Sequence, residues 1–479
     1  MLIKPGKLVE KVGFEKVFIG LVFILGFFVR TLDLGYSHYY GDEIKTLYLD
    51  KTVPASEFFL NQRKGPVQFF AVWVLEKISG GFSEGIIRLP FSLASSLSII
   101  FFYLFVKKIF GRNAGYFSTA IYAFWGFSVA FARTAQYQSF LMLFGFASIY
   151  FATVYRETGR RLHLLASAFL LALSLYSHYD GIFFLIPIVF ISVKDRVSFF
   201  KFLKFFLLPS LIFLTPFYLP YLLKGYMSSN TVNYISRRVS GSGYLENNSL
   251  YTISVYNPLY LFFMLMLPAV YGFVKKWDKN NVITKIWFAV TFVFYEIFIS
   301  NPGTHIQIYL IPLIILSGVI MSELPKALRY LYGFVIALYM CVSFITFIPS
   351  LNTGYPWKDS SYLGLRVPKI QKTYQLFLYG FPYNRGWDQI SKYFYAKDGV
   401  RGVYTNDNDS FGDYYLLGLN YTPPGTNFIP QYYIEILDNQ EIDNPKGDFF
   451  GESFNKYTLE KEIFLLDGRK AANIYRLTD

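Results

Sequence analysis

Apolar residues form long runs over the first 350 positions of the chain. Between Lys16 and Ser350 these runs repeatedly reach about 18 residues, the length that crosses the hydrocarbon core of a bilayer. The pattern predicts about eleven membrane-spanning helices, near residues 14–32, 88–106, 114–132, 136–154, 162–178, 181–193, 203–223, 257–274, 283–300, 305–322 and 329–349. No small-residue cleavage site follows the first run, so we expect it to remain in the chain as a span. We therefore predict a polytopic α-helical membrane protein.

Basic residues are distributed unequally between the two sides of the predicted spans. The side that starts with the N-terminal lysines carries about 20 Lys and Arg against about 6 acids, whereas acids and bases nearly balance in the loop 33–87. An excess of basic residues marks the cytoplasmic side of a membrane protein. The asymmetry predicts a cytoplasmic N-terminus and outer loops at about 33–87 and 224–256. With an odd number of spans, the C-terminus lies outside the cytoplasm.

The composition changes abruptly at about residue 351. Asn, Asp, Gly and Pro become frequent, and short segments such as 402–404 and 432–437 have the pattern of strands, while 387–395 has that of a helix. We predict a transmembrane domain over residues 1–350 and a small extracytoplasmic α/β domain over residues 351–479. The triplet Asp407-Asn408-Asp409 lies among turn-forming residues of this domain, so we interpret it as a loop rather than a metal site.

Composition excludes several classes of protein. The 479 residues are 53% hydrophobic and only 16% charged, too few charges for several soluble domains, which carry about 25%. The net charge of +13 comes from basic residues beside the apolar runs, so it does not indicate a nucleic-acid partner. Membrane lipids are the expected surroundings.

Polar and ionisable residues concentrate at the outer ends of the predicted spans, where such residues are costly and often functional. The candidates are His38, Asp42, Glu43, Lys64, Arg88, Arg133, Gln136, Tyr137, His178, Asp180, Arg237, Arg238, Glu296, His305 and Gln307. Cations bind phosphate by charge-assisted hydrogen bonds, and a carboxylate close to a hydroxyl can act as a general base. This combination indicates transfer of a group from a phosphate-bearing lipid to a nucleophile from outside.

Each candidate also has a structural alternative. Asp42 and Glu43 can equally be interpreted as solvated acids of a loop. Arg88 and Arg133 can be interpreted as arginines that anchor helix ends at the membrane surface. Arg237 and Arg238 suit a general attraction to lipid headgroups. His38, His178 and His305, with Asp180 or Glu43, suggest a metal set, but none has helical ligand spacing, so we expect no metal there. No cofactor is certain, and a divalent cation is left open.

Four motifs in order resemble a known family. They are Gly41-Asp42-Glu43 in the first outer loop, Lys64-Gly65-Pro66-Val67, Ile87-Arg88-Leu89-Pro90, and Ala132-Arg133-Thr134-Ala135-Gln136-Tyr137 before an aromatic-rich span. Over about residues 14–325 the chain resembles the GT-C membrane glycosyltransferases, specifically the dolichyl-phosphate-mannose–protein mannosyltransferase family and its aminoarabinose-transferase relatives. The resemblance implies a sugar donor on a polyprenyl phosphate and an inverting transfer outside the cytoplasm.

The resemblance also implies roles for individual residues. Asp42 would be the general base, and Glu43 would orient the acceptor or support Asp42. Lys64 and Arg133 would hold the lipid phosphate, with Tyr137 on the same wall. Arg237 and Arg238 match by loop position only, and Arg88, His178, Asp180, His305 and Gln307 are further candidates for substrate binding.

Two positions depart from the family pattern. Gly65 replaces the first proline of a Lys-Pro-Pro segment, and Ile308 replaces an arginine, so that this contact is lost or moved to His305 or Gln307. The predicted function is a polyprenyl-phosphate-sugar glycosyltransferase with a protein, lipid or glycan acceptor and no nucleic-acid partner. The alternative is a transporter or flippase of lipid-linked sugar or polysaccharide, which predicts discontinuous helices near mid-membrane and paired halves.

Overall fold

The fold is seen in a computed structural model that describes most of the chain. The described residues are 13–39, 41–62, 65–223, 232, 236, 238–239, 247–275, 277–351, 354–362, 365–370, 378–417, 429–439 and 453–478. Lys64 and Arg237, both predicted phosphate ligands, lie outside the described residues.

Helices dominate the first 350 residues. The first nine are α1 (Phe14–Thr31), α2 (Gly41–Ile44), α3 (Ala55–Leu60), α4 (Val67–Ser79), α5 (Glu84–Phe110), α6 (Arg112–Phe124), α7 (Gly126–Ala132), α8 (Gln138–Thr158) and α9 (Arg161–Ser177). After a 3₁₀ turn (Tyr179–Phe184) come α10 (Leu185–Ser192), α11 (Arg196–Phe202), α12 (Leu208–Leu223), α13 (Ser249–Tyr256), α14 (Leu259–Lys275) and α15 (Lys279–Val293). A second 3₁₀ turn (Gly303–Ile306) leads into α16 (Gln307–Glu323) and α17 (Lys326–Phe347).

All eleven predicted spans fall on helical segments, but the count of eleven spans is not confirmed. Six helices of the described residues are long and apolar enough to cross a bilayer, or up to seven if the bent pair α13 and α14 is counted as one span. The segments 161–177 and 179–192 are shorter apolar helices, and α1 carries Glu15, Lys16 and Arg30 within its 18 residues. The helices are those of an integral membrane protein, while its orientation remains a prediction.

Two helices are interrupted, and the interruptions pack against each other. The predicted third span divides at Trp125 into α6 and α7, and α13 meets α14 at an angle of 111°. Pro258 follows Asn257 at the second break, where proline disfavours a continuous helix. The backbone N–H of Gly126 donates to Asn257 Oδ1 at 3.2 Å. A Cβ at Gly126 would lie 1.8 Å from the Tyr256 carbonyl oxygen, so only glycine permits this approach.

Buried Arg30 joins the helices around α1, a role that its place near the end of an apolar run does not predict. Its guanidinium donates to the carbonyl oxygens of Gly26 (2.8 Å) and Ala123 (2.7 Å). It also donates to the hydroxyls of Ser95 (3.0 Å) and Ser128 (2.7 Å). A buried cation is tolerated when its donors are satisfied in this way, so Arg30 ties α1 to α5, α6 and α7.

The described C-terminal residues form a small α/β domain. Its elements are the strand pair β1 (Ser360–Tyr362) and β2 (Leu365–Val367), then α18 (Trp387–Tyr395), β3 (Val403–Thr405), α19 (Asp409–Tyr415), β4 (Tyr432–Ile436), β5 (Tyr457–Phe464) and β6 (Lys470–Leu477). Four strands form a mixed sheet in the order β3-β4-β6-β5, in which β3 and β4 are parallel and the other pairs antiparallel.

This domain shares its hydrophobic core with the first outer loop. Buried Trp387 and Ile390 of α18 belong to one cluster with Tyr39, Ile44 and Ile87. Hydrogen bonds reinforce the contact: Arg385 Nη2 donates to the Tyr39 carbonyl oxygen at 2.9 Å, and the Tyr39 N–H donates to the Tyr415 hydroxyl at 3.0 Å. The domain therefore holds the first outer loop in place and does not pack as a separate body.

Gly318 of α16 packs closely against Ser118 of α6, which suggests a stability test. A Cβ there would lie 2.1 Å from Ser118 Oγ and 2.6 Å from Ser118 N, whereas a Cβ at Gly333 of α17 would have no atom within 4 Å. We expect Gly318→Ala to lower the free energy of unfolding by about 1–3 kcal/mol through overpacking. The control Gly333→Ala should be neutral or slightly stabilising. Thermal unfolding in detergent measures both, and equal stability of the two variants would contradict the packing.

Candidate active site

The short helix α2 places its two acids in different environments. Glu43 is fully buried and accepts two hydrogen bonds from Arg88, Nε to Oε1 at 2.9 Å and Nη2 to Oε2 at 2.8 Å. Its Oε1 also accepts the backbone N–H of Ala135 at 2.7 Å. This bidentate geometry is the strongest form of a carboxylate–guanidinium pair. Glu43 therefore anchors α2.

Arg88 has a structural role in place of the predicted substrate contact. Besides Glu43, it donates to the carbonyl oxygens of Leu34 (2.7 Å), Ser37 (2.7 Å) and His38 (2.9 Å). All three nitrogens of the buried guanidinium are engaged, and its donors point at the segment that follows α1. Arg88 thus fixes the start of the first outer loop and has no donor directed at a substrate. It is neither a snorkelling anchor nor a ligand group.

Asp42 lies on the accessible side of α2. Its side chain is 33% exposed, in contrast to the fully buried Glu43 next to it. Tyr379 Oη donates to Asp42 Oδ2 at 3.2 Å, and Lys45 Nζ lies 3.4 Å from Oδ1. Tyr379 itself is held because its backbone N–H donates to the Tyr256 hydroxyl at 2.9 Å. The C-terminal segment thus supplies a wall of the site that the motifs do not contain.

The turn between α7 and α8 connects Glu43 to the cluster that contains His305. Arg133 is buried and donates from Nη1 to the Val29 carbonyl oxygen at 2.9 Å. Two residues on, the N–H of Ala135 binds Glu43, and two residues further the hydroxyl of Tyr137 lies 3.3 Å from His305 Nδ1. The turn therefore spans from the acidic pair to the histidine cluster, within the motif that the sequence singles out.

Several buried polar atoms of this region have no hydrogen-bond partner among the described residues. They are Arg133 Nε, Thr134 Oγ1, Gln136 Nε2 and Gln307 Nε2. Leaving a buried donor unsatisfied costs about 1–3 kcal/mol, so such groups are expected where a ligand or ordered water binds. Ile308, at the position of the family's arginine, is fully buried and apolar. Beside it, Nε2 of Gln307 is a buried donor that has no partner among the described residues.

His178, Asp180 and His305 converge as a buried cluster. His178 Nδ1 lies 3.1 Å from Asp180 Oδ1, and His305 Nδ1 lies 2.7 Å from Asp180 Oδ2. Tyr295 donates its hydroxyl to Asp180 Oδ1 at 2.7 Å. The ring of Tyr137 stacks on that of His178 with 3.9 Å between centroids. Two of the three histidines considered for a metal are thus together, with Asp180.

His38, the third histidine of that set, lies elsewhere. Its Nδ1 accepts the N–H of Arg385 at 3.2 Å, and its Nε2 lies 3.5 Å from Asp388 Oδ2. The hydrogen bond to His38 lowers the pKa of the Asp388 carboxyl below its ordinary value. His38 therefore lies apart from the other two histidines of the metal set that the sequence suggests, because its imidazole joins the first outer loop to α18.

Two further predicted residues, Arg238 and Glu296, make contacts that stabilise the structure. Arg238 donates from Nη1 to the Asn301 carbonyl oxygen at 3.2 Å, and its own carbonyl oxygen accepts the N–H of Ser300 at 2.8 Å. Glu296 accepts hydrogen bonds from Ser249 (2.7 Å) and Tyr309 (2.7 Å). These contacts join the outer loop to the segment before α16, and they do not reach the acidic pair.

Gly65 explains one departure from the family pattern. Its φ is +112°, a region that L-residues rarely adopt, and proline is fixed near −65°. A Cβ at this position would also lie 2.1 Å from the carbonyl oxygen of Tyr176. Glycine is therefore required for the first outer loop to pack against the end of α9, just before His178.

Asp407, in the triplet interpreted as a loop, is a buried structural acid. It follows β3, and its Oδ2 accepts Arg385 Nη1 at 2.7 Å and Trp387 Nε1 at 3.0 Å. Asn408 caps α19 through the N–H of Ser410. Asp407 and Asn408 therefore stabilise the C-terminal domain.

Comparison with known proteins identifies the class of fold. A family model described as dolichyl-phosphate-mannose-protein mannosyltransferase matches residues 63–221. The crystal structure of ArnT from Cupriavidus metallidurans in the apo state aligns with a TM-score of 0.59 at 13% identity, over 97% of this chain and 98% of that chain. The same protein bound to undecaprenyl phosphate aligns with a TM-score of 0.56 at 13% identity, over 96% and 98%.

A second solved structure extends the comparison. The arabinofuranosyltransferase AftD from Mycobacteria aligns with a TM-score of 0.54 at 11% identity, over 97% of this chain but 40% of that chain. No curated protein sequence matches the chain. The chain therefore has the fold of these GT-C membrane glycosyltransferases, which is the fold that the resemblance of the four motifs predicts.

The buried pair of Glu43 and Arg88 should contribute far more to stability than an exposed pair. We expect Glu43→Gln to lower the free energy of unfolding by about 3–5 kcal/mol, because it leaves a buried guanidinium uncompensated. The control Asp467→Asn breaks the half-exposed pair with Arg469 (2.7 Å) and should cost about 0–1 kcal/mol. Thermal unfolding in detergent measures both. Similar losses in the two variants would show that Glu43 does not anchor α2.

Proposed function

We propose that the chain is an inverting glycosyltransferase that moves a sugar from a polyprenyl phosphate to an acceptor hydroxyl at the outer membrane face. One observation carries the proposal: the residue after Asp42 binds the turn that contains Arg133. Glu43 accepts the N–H of Ala135 at 2.7 Å, which places an accessible carboxylate and a buried cation on neighbouring elements. A base and a phosphate ligand are the two groups that this transfer needs.

Asp42 is the proposed general base. The acceptor oxygen attacks the anomeric carbon while its proton passes to the Asp42 carboxylate. The bond from that carbon to the phosphate oxygen breaks, and its electron pair stays on the phosphate. A single displacement of this kind inverts the configuration. Because phosphate is already a good leaving group, positioning and proton removal are the main contributions required of the protein.

Arg133 is the proposed ligand of the departing phosphate. Its Nη1 donates to the Val29 carbonyl oxygen at 2.9 Å, while its Nε is buried and has no partner among the described residues. A preorganised donor aimed at developing negative charge stabilises the transition state more than the ground state. Tyr137, His178, Asp180, His305 and Gln307 form the adjoining wall. Lys64 and Arg237, outside the described residues, retain their proposed phosphate roles from the resemblance.

The comparisons support a lipid-linked donor. The family model covers the segment from Arg63 to Tyr221, and the ArnT structure with the same fold was determined with bound undecaprenyl phosphate. The outer location follows from the distribution of basic residues. The acceptor is a hydroxyl of a protein, lipid or glycan, and the C-terminal domain that supplies Tyr379 beside Asp42 is suited to position it.

The interrupted helices do not favour the transporter alternative. Their breaks are filled, because Gly126 contacts Tyr256 directly and the Tyr256 ring stacks on Phe381 of the C-terminal segment with 5.4 Å between centroids. A transporter requires broken helices that surround a substrate site near mid-membrane. These breaks instead support the wall that carries Tyr379.

Asp42→Asn tests the base. We expect this variant to lose transfer from a polyprenyl-phosphate sugar by about 10²–10⁴-fold, the usual contribution of a general base, while donor binding is retained. The matched control is Asp50→Asn, because Asp50 is an exposed acid of the same loop that accepts hydrogen bonds from its neighbour Thr52. Product formation and donor binding by the purified variants are the measurements. Wild-type turnover by Asp42→Asn would exclude Asp42 as the base.

Arg133→Gln tests the phosphate ligand. We expect transfer to fall by about 10²–10³-fold, as when one preorganised donor to a developing anion is removed, and Arg133→Lys to recover part of the loss. Arg196→Ala, at an exposed position of α11, is the control. Thermal unfolding of each variant separates a folding defect from a kinetic one. Unchanged kinetics in a folded Arg133→Gln would remove Arg133 from the site.

A further inference from the structure

The cluster of His178, Asp180 and His305 contains donor groups that the transfer chemistry does not use. The three residues come from two distant segments of the chain, and their exposures are 0%, 0% and 7%. One donor atom from each lies within 4.8 Å of the others. We propose that these side chains form a transition-metal site, with zinc as the expected ion.

The donor set determines the class of metal. Two imidazole nitrogens and one carboxylate oxygen are ligands that Zn²⁺ binds well, whereas Mg²⁺ and Ca²⁺ prefer all-oxygen sites. Ligands at about 2.0–2.2 Å from a tetrahedral ion are roughly 3.3 Å apart, which follows from that geometry. The distance of 3.1 Å from Asp180 to His178 is close to this spacing, while the 2.7 Å to His305 is a hydrogen-bond distance that would lengthen when an ion binds.

The charge of the cluster also calls for a cation. Asp180 is fully buried, and within the described part of the chain its ion-pair partners are only the two imidazoles, which are neutral unless protonated. An isolated buried carboxylate is costly, and buried charges are paired or coordinate metals. A divalent ion bound to two neutral imidazoles would compensate the carboxylate directly.

The surroundings resemble the outer shell of a metal site. Tyr295 donates to the carboxylate of Asp180 at 2.7 Å, as groups that orient a metal-binding carboxylate do. A Cβ at Gly181 would lie 2.9 Å from the backbone N of Leu175, so the turn that carries His178 and Asp180 is pressed against α9.

Such an ion would stabilise the wall beside Arg133. Tyr137 stacks on His178 and contacts His305, so the metal would fix the turn between α7 and α8 through its own ligands. The proposed role is to position this turn, and no step of sugar transfer passes through the ion. The inference is therefore independent of the proposed function.

Metal content of the full-length protein is the direct test. The purified chain in detergent is stripped with a chelator, incubated with ZnCl₂, desalted, and measured by inductively coupled plasma mass spectrometry. We expect about one zinc per chain in the wild type and at least about a fivefold loss in Asp180→Asn and in His305→Gln. The control His163→Ala removes an exposed imidazole hydrogen-bonded to Thr158 and should retain the zinc.

A second readout needs no variant. Zinc should raise the unfolding temperature of the stripped wild type, because an ion that binds only the folded state stabilises it, and MgCl₂ at the same concentration should not. Co²⁺ in place of zinc should give the visible absorption band of a four-coordinate ion. A wild type that retains no zinc and shows no shift would overturn the proposal. Equal zinc retention by Asp180→Asn, His305→Gln and wild type would overturn it as well.

Discussion

The buried pair between Glu43 and Arg88 is the interaction on which the arrangement of the site depends. Arg88 is buried near the start of α5, while Glu43 lies on a four-residue helix that could not be stable alone. The pair brings this helix onto the bundle, and the hydrogen bond from the Ala135 N–H to Glu43 Oε1 joins it to the turn after α7. With Glu43 buried, the preceding Asp42 keeps 33% of its side chain exposed. Glu43, which stabilises the loop, and Asp42, the proposed base, thus occupy adjacent positions.

The C-terminal domain also holds the first outer loop in place, on the side away from the helical bundle. Its Trp387 and Ile390 share a core with the first outer loop, and Arg385 binds both Tyr39 and Asp407. The loop is therefore held between the bundle and the domain. Tyr379, which reaches Asp42, is part of that contact. A loop held on both sides keeps the acid in one geometry, which preorganised catalysis requires.

Hydropathy was sufficient to find the helices, and motif order was sufficient to find the acidic loop and the turn at Arg133. Local pattern could not separate Arg88 from Arg133, since both are arginines at the ends of apolar runs. Their hydrogen-bond partners lie far away in the chain and decide that one is fully occupied while the other keeps a buried donor unsatisfied. The same limit applies to the histidines, because only long-range contacts join His38 to Arg385 and bring His305 to Asp180. Arg30 carried no signal beyond its place at the end of a run.

The sequence alone determined that this is a helical membrane protein with a polar C-terminal domain, because burial of apolar surface in lipid depends on local composition and length. It also predicted the fold, through four short motifs in a characteristic order. The tertiary structure decided which helices are long enough to span, where they break, and which ionisable residues meet. These properties arise from packing and hydrogen bonds between segments up to hundreds of residues apart, which no local pattern contains.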